Sequence, residues 1–374
     1  MKIIHSSYIY ENPLPQLRAR GSAFPGVCLL PDGRLMAIHQ IGEAFESVNG
    51  TPFVSFSSDE GRTWTEPRQV FDKSGEKIPL NDNGKPTLLP DGRVMLFGYQ
   101  FIRENPDLPL GNAETGGLLP DEVYYSISSD MGRTWSEKTV IETSWCGSTE
   151  ASAPMYVLKD GTLATPITGF HRWDGSEVSR NCGRLLYSKD GGRTWADDVI
   201  CAEFPGDTVS CYEQRMAETD DGTLVVTLWC EDFATGERLN NHVTVSLDGG
   251  RSFSAPIDTG VHGQATGIVP LGGSLVMTLH AVRRDTDEPG IYAAVADVSG
   301  GEWRLLSCQR VWAPATPVMR AKNMAEIFAF LKFGQPGGIL LPDGRVLMSH
   351  WMCEDGVYKT VATLIEVEEC DRAK

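Results

Sequence analysis

A tight-turn signal recurs six times along the chain, and this repeat constrains the fold more than any other feature of the sequence. Each copy consists of Asp-Gly, or Gly-Gly in one copy, followed by a short apolar run. The copies occupy residues 31–37, 90–96, 159–165, 220–226, 271–277 and 342–348. Because Asp-Gly between two apolar runs is a strong signal for a β-hairpin, each copy predicts two antiparallel strands joined by a tight turn.

A second repeat, Ser-x-Asp-x-Gly-x-Thr-Trp, follows the hairpin turns in regular phase. Its copies begin at Ser57, Ser128, Ser188 and, with Ser-Phe at its end, Ser246; an eroded copy covers residues 296–303. The aspartate can accept hydrogen bonds from nearby amides, the glycine can adopt a positive φ, and the aromatic ring can pack into the sheet. We therefore expect these segments to be structural turns rather than catalytic ones.

The two repeats together predict an all-β fold. Short runs rich in Val, Leu, Ile, Phe and Tyr lie between the turns, without a long helical stretch, and each unit of about 60 residues holds four such runs. This is the content of one four-stranded propeller blade, so residues 1–374 are expected to form one domain with six blades. The sixth unit lacks a fourth strand, which residues 2–11 can supply to close the ring.

Composition excludes several kinds of partner. The chain has 374 residues with 33 Lys plus Arg against 50 Asp plus Glu, a net charge of −17, which disfavours nucleic acid and anionic membranes. The nine cysteines form no CxxC pair and indicate reduced thiols. The amino terminus has no apolar signal segment, so a cytoplasmic location is expected. Without a phosphate-binding loop or a zinc-protease motif, neither a cofactor nor a metal is expected.

The Ser-x-Asp-x-Gly-x-Thr-Trp segments in phase with Asp-Gly hairpins resemble the Asp-box (BNR) repeats of the sialidase superfamily of six-bladed propellers. The resemblance implies that the inner strand of each blade precedes the Asp-Gly turn and opens into a central funnel. Sialidases hold a substrate carboxylate with three arginines and use a tyrosine nucleophile paired with a glutamate, and an aspartate as acid/base.

Residue by residue, the resemblance carries over only in part. Glu213 lies where the glutamate is expected, before the fourth turn. Ala23 occupies the first arginine position and Gln335 the tyrosine position. Glu43 and Glu46 lie in the loop where the aspartate is expected. The arginine triad and the tyrosine are therefore absent from their expected positions, and a standard tyrosine mechanism is not predicted.

The residues of the inner strands that correspond to Glu213 are mostly polar. They are Phe24, Asn83, Ser152, Glu213, Gln264 and Gln335. Amide and carboxylate groups that face one cavity suit a sugar, whose hydroxyl groups need both donors and acceptors.

Glycoside cleavage usually needs two carboxyl groups, one as acid and one as base or nucleophile. Glu213 is the first candidate, and Asp82 or Glu150, from neighbouring blades, is the expected partner. The predicted substrate-binding residues are Arg20, Asn83, Lys85, Tyr212, Arg215, His262, Gln264, His280, Arg283, Lys332 and Gln335. The cations among them favour an acidic sugar such as a sialic or uronic acid, which Arg215 would orient.

Three functions are compatible with this reading. The first is a glycoside hydrolase of the sialidase superfamily that acts on a terminal, acidic sugar. The second is a polysaccharide lyase or a sugar isomerase, in which Tyr212 and either His262 or His280 act as acid and base. The third is a propeller that binds glycans without catalysis. In each case the expected partner is a carbohydrate.

Overall fold

The computed structural model describes residues 1–145, 147–176, 180–284, 286–315 and 332–372. Regular structure in these residues is almost entirely β, with one 3-10 turn at Ser299–Gly301 and one short helix at Glu369–Arg372. The strands form six antiparallel blades, and the inner strands of successive blades pack side by side around a closed ring. The predicted six-bladed propeller is confirmed.

Each blade has four strands, which follow one another from the axis of the propeller to its periphery. The inner strands are β2 (Gly21–Leu29), β6 (Leu80–Leu88), the interrupted pair β10 (Thr149–Glu150) and β11 (Tyr156–Val157), β15 (Tyr212–Glu218), β21 (Thr266–Gly272) and β25 (Phe333–Leu340). The second strands are β3 (Leu35–Gly42), β7 (Val94–Ile102), β12 (Leu163–Gly169), β16 (Leu224–Trp229), β22 (Leu275–Val282) and β26 (Val346–Glu354).

The third and fourth strands complete the blades. The third strands are β4 (Thr51–Ser57), β8 (Asp121–Ser128), β13 (Cys182–Ser188), β19 (Asn240–Ser246), β23 (Gly290–Asp297) and β27 (Val357–Glu366). The outer strands are β5 (Arg68–Gln69), β9 (Thr139–Ile141), β14 (Ala196–Glu203), β20 (Ile257–His262), β24 (Arg304–Trp312) and β1 (Lys2–Tyr10). A small hairpin of β17 (Glu231–Asp232) and β18 (Glu237–Arg238) projects from blade four.

The Asp-Gly segments join the first and second strands of the blades. In blade one the amide of Gly33, at φ +84°, donates to the carbonyl of Leu30 at 3.0 Å, and Leu30 donates in turn to Arg34 at 2.8 Å. A residue with a Cβ reaches this φ only at a cost, so glycine sets the turn and the turn sets the strand register.

The Asp-box segments join third and fourth strands. Ser57 Oγ donates to Asp59 at 2.8 Å and accepts the amide of Gly61 at 2.9 Å. Asp59 also accepts the amide and the hydroxyl of Thr63, and these bonds lower the pKa of Asp59 to about 2. The boxes that begin at Ser128, Ser188 and Ser246 repeat the serine, aspartate and glycine contacts. The expected structural role of these turns agrees with this geometry.

The amino-terminal strand closes the ring, as the sequence predicts. β1 pairs with β27 at the outer edge of blade six, with Ser7 opposite Ala362. The amino group of Met1 lies 2.5 Å from Oδ2 of Asp371, next to the short helix. Apolar side chains from neighbouring blades form the core between the sheets. Within the described ranges, no helix has the length and the apolar composition that crossing a membrane requires.

Candidate functional site

Three inner strands share an irregularity at the end that opens into the funnel. In β2, β15 and β25 the register with the second strand shifts, and one residue adopts a left-handed conformation. These residues are Phe24 (φ +53°), Glu213 (φ +43°) and Gln335 (φ +42°). Such conformations are costly for residues other than glycine, and bulges of this kind redirect a side chain. They cluster at functional sites in proteins.

The bulges of blades four and six meet across the funnel. Nε2 of Gln335 donates a hydrogen bond of 2.7 Å to Oε1 of Glu213. The second carboxylate oxygen of Glu213 and the amide oxygen of Gln335 are buried and have no hydrogen-bond partner among the described residues. Two acceptor atoms are thus available to a ligand at a place where the described part of the chain supplies no donor for them.

Lys85 lies beside this pair. Its Nζ donates to the carbonyl oxygens of Phe24 at 3.3 Å and Pro25 at 3.2 Å, which belong to the bulge of blade one. Burial lowers the pKa of Lys85 to about 7, the charge of Arg215 lowers it further, and the carboxylate of Glu213 acts in the opposite direction. An ammonium group with two neutral acceptors is well placed to attract an anion.

Two arginines complete the positive charge of the site. Arg215, in the same inner strand as Glu213, donates to the carbonyl of Gln214 at 2.6 Å and to Oγ of Ser152 at 3.0 Å. Arg283, at the end of β22, donates to the carbonyl of Phe333 at 3.2 Å and to that of Gln264. Burial lowers the pKa of Arg283, and the charge of Glu213 partly offsets this effect.

Glu150 supplies a second carboxyl group. Its side chain is buried, and Oε1 accepts the amide of Ser152 at 3.0 Å. Burial raises the pKa of Glu150, while the charge of Arg215 and the contact with Ser152 oppose the rise. A carboxyl group in this environment favours its protonated form more than an exposed one does, as a general acid requires.

We call the residues gathered at this point the axial pocket. Its members come from five blades, and the carbonyl groups of Phe24 and Pro25 add the sixth. The axial pocket consists of Lys85, Glu150, Glu213, Arg215, Arg283 and Gln335.

Tyr99 is a residue of this region that the sequence analysis missed. It lies opposite Asn83 in the pairing of β6 with β7, and its hydroxyl group forms a hydrogen bond with the Asn83 side chain. Burial raises the pKa of Tyr99, and the nearby charges of Glu150 and Glu213 raise it further. The hairpin register, which the Asp-Gly turn sets, would have placed Tyr99 beside Asn83.

Asp82 does not join the axial pocket. Its carboxylate is fully buried and pairs with Nζ of Lys73 at 2.8 Å and Nζ of Lys138 at 2.7 Å. The strand is regular here, so Asp82 and its neighbour Asn83 point to opposite faces. The expectation that Asp82 assists Glu213 is corrected by this placement, and Glu150 remains as the second carboxyl group.

His280 also lies outside the pocket. It is buried between blades four and five, where Nδ2 of Asn241 donates to its Nδ1 at 2.7 Å and Oγ1 of Thr278 lies 2.8 Å from its Nε2. Burial lowers the pKa of His280 to about 3. Both ring nitrogens are thus used within the fold, which corrects the expectation that His280 binds substrate or acts as a base.

His262 and Gln264 support the pocket from blade five. The amide of Gln264 donates to Nε2 of His262 at 3.0 Å, and its Oε1 accepts the backbone amide of Arg283 at 2.8 Å. Gln264 therefore holds the chain at Arg283 instead of presenting a free amide to the funnel. Lys332 lies at the rim of blade six, where its carbonyl accepts the amide of Cys353 at 2.6 Å.

Arg20 lies at a separate rim cleft. Its guanidinium stacks on Tyr10 and Phe53, at 5.8 and 5.5 Å from the ring centroids. The cleft has a volume of about 600 Å³, lies between the loops of blades one and six, and also includes Glu43 and Glu46. Tyr212 lies elsewhere, in an aromatic group at the mouths of blades three and four.

Comparisons with known proteins agree with this architecture. No family model matches the chain. A sialidase from Micromonospora viridifaciens is 25% identical over 244 residues, which is 61% of this chain and 35% of that protein. The alignment therefore spans about a third of the relative's length.

Similar solved structures cover nearly the whole chain. A protein of unknown function from Dyadobacter fermentans has a TM-score of 0.72 at 20% identity, covering 98% of this chain and 99% of its own. The intramolecular trans-sialidase from Ruminococcus gnavus has a TM-score of 0.65 at 14% identity, covering 99% of both chains. An α-L-arabinanase from Penicillium chrysogenum has a TM-score of 0.64 at 15% identity, covering 98% and 99%. The chain thus shares the six-bladed propeller fold of the trans-sialidase and of the arabinanase.

Proposed function

We propose that this protein is a glycoside hydrolase that removes a terminal acidic sugar, with Glu213 as its essential carboxylate. The observation that carries the proposal is the contact of Glu213 with Gln335, which fixes one carboxylate oxygen and leaves the other buried and without a partner among the described residues. A carboxylate held in this way can act on a substrate atom without first losing a protein contact.

Glu150 is the proposed proton donor. Its raised pKa keeps the carboxyl group closer to its protonated form. Arg215, in the same strand as Glu213, is close enough for its charge to oppose this rise. A protonated acid and an ionised base or nucleophile on two sides of a sugar are the usual requirement for glycoside hydrolysis. Gln335 has no nucleophilic atom, so in this proposal the attack, direct or through water, falls to Glu213.

The charge of the axial pocket supports an acidic substrate. Three buried or half-buried cations, Lys85, Arg215 and Arg283, face two carboxyl groups in a chain whose net charge is −17. A substrate carboxylate would offset the excess positive charge and would be attracted by it. The similarity to sialidases agrees with this choice of substrate class.

The test is a screen of methylumbelliferyl glycosides of sialic acid, glucuronic acid and neutral sugars. Glu213→Gln keeps the size of the side chain but removes its charge and is expected to lower kcat/KM by about 1,000-fold or more. The control is Glu66→Gln, which changes an exposed carboxylate on blade one and should leave the rate unchanged. Equal hydrolysis by wild type and Glu213→Gln would contradict the assignment of Glu213, and faster hydrolysis of neutral sugars would contradict the acidic substrate.

Two further assays separate the other two functions. On a polymer of 4-linked uronic acids a lyase would abstract the proton at C5, expel the sugar linked at O4 and leave an unsaturated uronate that absorbs in the ultraviolet, but the buried His280 is not placed to serve as its base. A glycan-binding propeller would bind acidic sugars without turnover, and Glu213→Gln would bind them as well as the wild type does.

A further inference from the structure

Gln214 lies between two residues of the axial pocket, Glu213 and Arg215, but its own side chain packs into blade three. It is buried, and its Oε1 accepts a hydrogen bond from Sγ of Cys201, in β14, at 3.3 Å. Its Nε2 donates to the carbonyl oxygen of Cys211 at 2.9 Å. Both ends of the amide are therefore used within the fold, and the role of Gln214 is to be sought in what these contacts hold in place.

A glycine in blade three makes room for the amide of Gln214. A Cβ atom at Gly183, in β13, would lie 2.1 Å from Oε1 and 2.3 Å from Nε2 of Gln214. Both distances are far shorter than van der Waals contact, so a larger residue at this position would displace the amide. We call Gly183, Cys201 and the carbonyl group of Cys211 the amide seat. Through it, the inner strand of blade four is joined to the outer half of blade three.

The amide seat holds the bulge that carries Glu213. At this bulge β15 has one residue more than the facing part of β16. An extra residue interrupts the ladder, so that peptide carbonyl groups near it need other donors. The Gln214 amide is the donor to Cys211, and Oγ1 of Thr266 is the donor to the carbonyl of Glu213 at 3.2 Å. Side chains therefore fix the backbone that leads to Glu213.

The other two bulges have proline in the place of Gln214. Phe24 is followed by Pro25, and Gln335 is followed by Pro336. Proline has a fixed φ and no amide hydrogen, so it limits the conformations that an interrupted strand can adopt. Gln214 has neither property, and its contacts with the amide seat provide the constraint instead.

The direction of the Glu213 side chain depends on this constraint. Glu213 has a φ of +43°, which is costly for a residue with a Cβ and persists only where its surroundings enforce it. Relaxation to an extended conformation would turn the carboxylate away from Gln335, because successive side chains of a regular strand point to opposite faces.

We propose that Gln214 is a positioning residue, whose seated amide fixes the bulge of β15 and directs the carboxylate of Glu213 across the funnel to Gln335. This inference rests on the proposed function for the reaction that the carboxylate performs. It goes further in assigning the geometry of the axial pocket to contacts with Gly183 and Cys201 in the outer half of blade three.

The first measurement reports the position of Glu213 without any turnover. In protein labelled with 15N-glutamine, the side-chain amide resonances of Gln335 respond to the hydrogen bond with Glu213, and Gln335→Leu identifies them by their disappearance. Gln214→Leu removes the amide and keeps an apolar side chain of similar size. It is expected to move the Gln335 resonances toward their positions in Glu213→Ala. Gly183→Ala displaces the amide with one added methyl group and should move them in the same direction.

The second measurement is kinetic and uses the substrate found in the glycoside screen. Both variants should lower kcat by about 10- to 100-fold and change KM by less than about threefold, because a displaced carboxylate reacts slowly while the cations still bind the acidic sugar. Gly183→Ala should have no further effect on kcat when combined with Gln214→Ala, which leaves no amide to displace.

The control is Gln100→Leu, which removes another buried amide. Nε2 of Gln100 donates to Glu122 at 2.7 Å, and its Oε1 accepts Nζ of Lys138 at 2.7 Å, both in blade two. This variant should lower the melting temperature but leave the Gln335 resonances and kcat unchanged. It thereby separates a general loss of stability from displacement of Glu213.

Gln335 resonances that stay in place in Gln214→Leu and Gly183→Ala, or that move as far in Gln100→Leu, would overturn the inference. If Gln214→Leu does not fold, Gly183→Ala alone decides, since it changes the protein by one methyl group. A shift of the Gln335 resonances in both variants, in a protein whose wild type cleaves none of the aryl glycosides, would retain the positioning role of Gln214 while the proposed hydrolase function fails.

Discussion

Replacement of Lys85 with methionine is expected to stabilise the fold and at the same time to weaken the binding of acidic ligands. Burial lowers the pKa of Lys85 to about 7 in the folded protein. In the unfolded chain the group has its ordinary pKa of about 10.4. Between these two values the unfolded chain therefore holds the proton more firmly than the folded protein does.

The magnitude follows from the size of this shift. The difference between a pKa of about 10.4 in the unfolded chain and about 7 in the folded protein costs the folded state about 4–5 kcal/mol of stability at pH 7 and below. Methionine avoids this cost but loses the hydrogen bonds of the amine to Phe24 and Pro25, at about 1 kcal/mol each. We expect Lys85→Met to raise the free energy of unfolding by about 2–4 kcal/mol at pH 7.

The pH dependence tests the cause. Because the unfolded chain binds more protons between about pH 7 and pH 10, this residue makes the stability of the wild type rise with pH, by up to about 1.4 kcal/mol per unit. Urea denaturation followed by tryptophan fluorescence at pH 7 and pH 9 measures the difference. The advantage of Lys85→Met should shrink by about half or more at pH 9.

Lys85→Arg is the matched control for charge. Arginine cannot lose its proton at these pH values, so this variant should be less stable than the wild type at both. A Lys85→Met variant that is no more stable than the wild type at pH 7, or whose advantage does not change with pH, would refute the reasoning. The affinity of Lys85→Met for acidic ligands should fall whatever its stability.

Three further variants test other parts of the structure. Gln335→Leu removes the donor to Glu213, a contact worth about 1.5–3 kcal/mol, and should lower kcat/KM by about 10- to 100-fold with little change in melting temperature. Asp59→Ala removes the carboxylate that holds the first Asp-box and should lower the melting temperature at pH 7. The stabilisation from Asp59 is lost as the pH falls through about 2, so this difference should shrink in acid, as thermal scans would show. Asp82→Asn weakens the pairing of a buried carboxylate with two half-buried lysines and should destabilise the fold by about 3 kcal/mol in urea denaturation, while kcat at 25 °C stays unchanged.

The fold was predictable from sequence because its signals are local. Gly33 and the corresponding glycines close their turns with the residues around them, and Asp59 bonds to residues within its own segment. Each repeat therefore specifies its own strands, and six repeats specify six blades. The role of β1 was predictable because the sixth repeat contains only three strands, so that one more strand was needed to complete blade six.

The site was predictable only where repeats could be aligned. Glu213 and Gln335 occupy equivalent places in different blades, and the structure brings them within 2.7 Å of one another. The prediction for Asp82 was wrong because successive side chains of a regular strand point to opposite faces of the sheet. Asp82 therefore points away from the face that its neighbour Asn83 occupies, and it pairs with Lys73. The prediction for His280 was wrong because its hydrogen-bond partner Asn241 lies on another blade and is distant in sequence.

The bulges of the inner strands could be predicted only in part from the residues next to them. Phe24 and Gln335 are each followed by proline, which disrupts the strand ladder and is a sequence signal for irregularity. Glu213 is followed by glutamine and carries no such signal, although its φ is +43°. Its conformation depends on partners in other blades, and these are fixed only when the ring is complete.

The axial pocket combines several kinds of unfavourable feature, and this combination is an argument that the funnel is functional. Glu213 and Gln335 have strained backbones and buried oxygens without a partner among the described residues, and Lys85 has a charge that burial opposes. The four Asp-box turns, in contrast, satisfy their serine and aspartate side chains with short local hydrogen bonds. In a chain selected for stability alone, we would expect an apolar side chain at position 85, like the side chains that form the core between the blades. A ligand with its own donors and a negative charge would satisfy Glu213, Gln335 and Lys85 together, which is what a functional pocket requires.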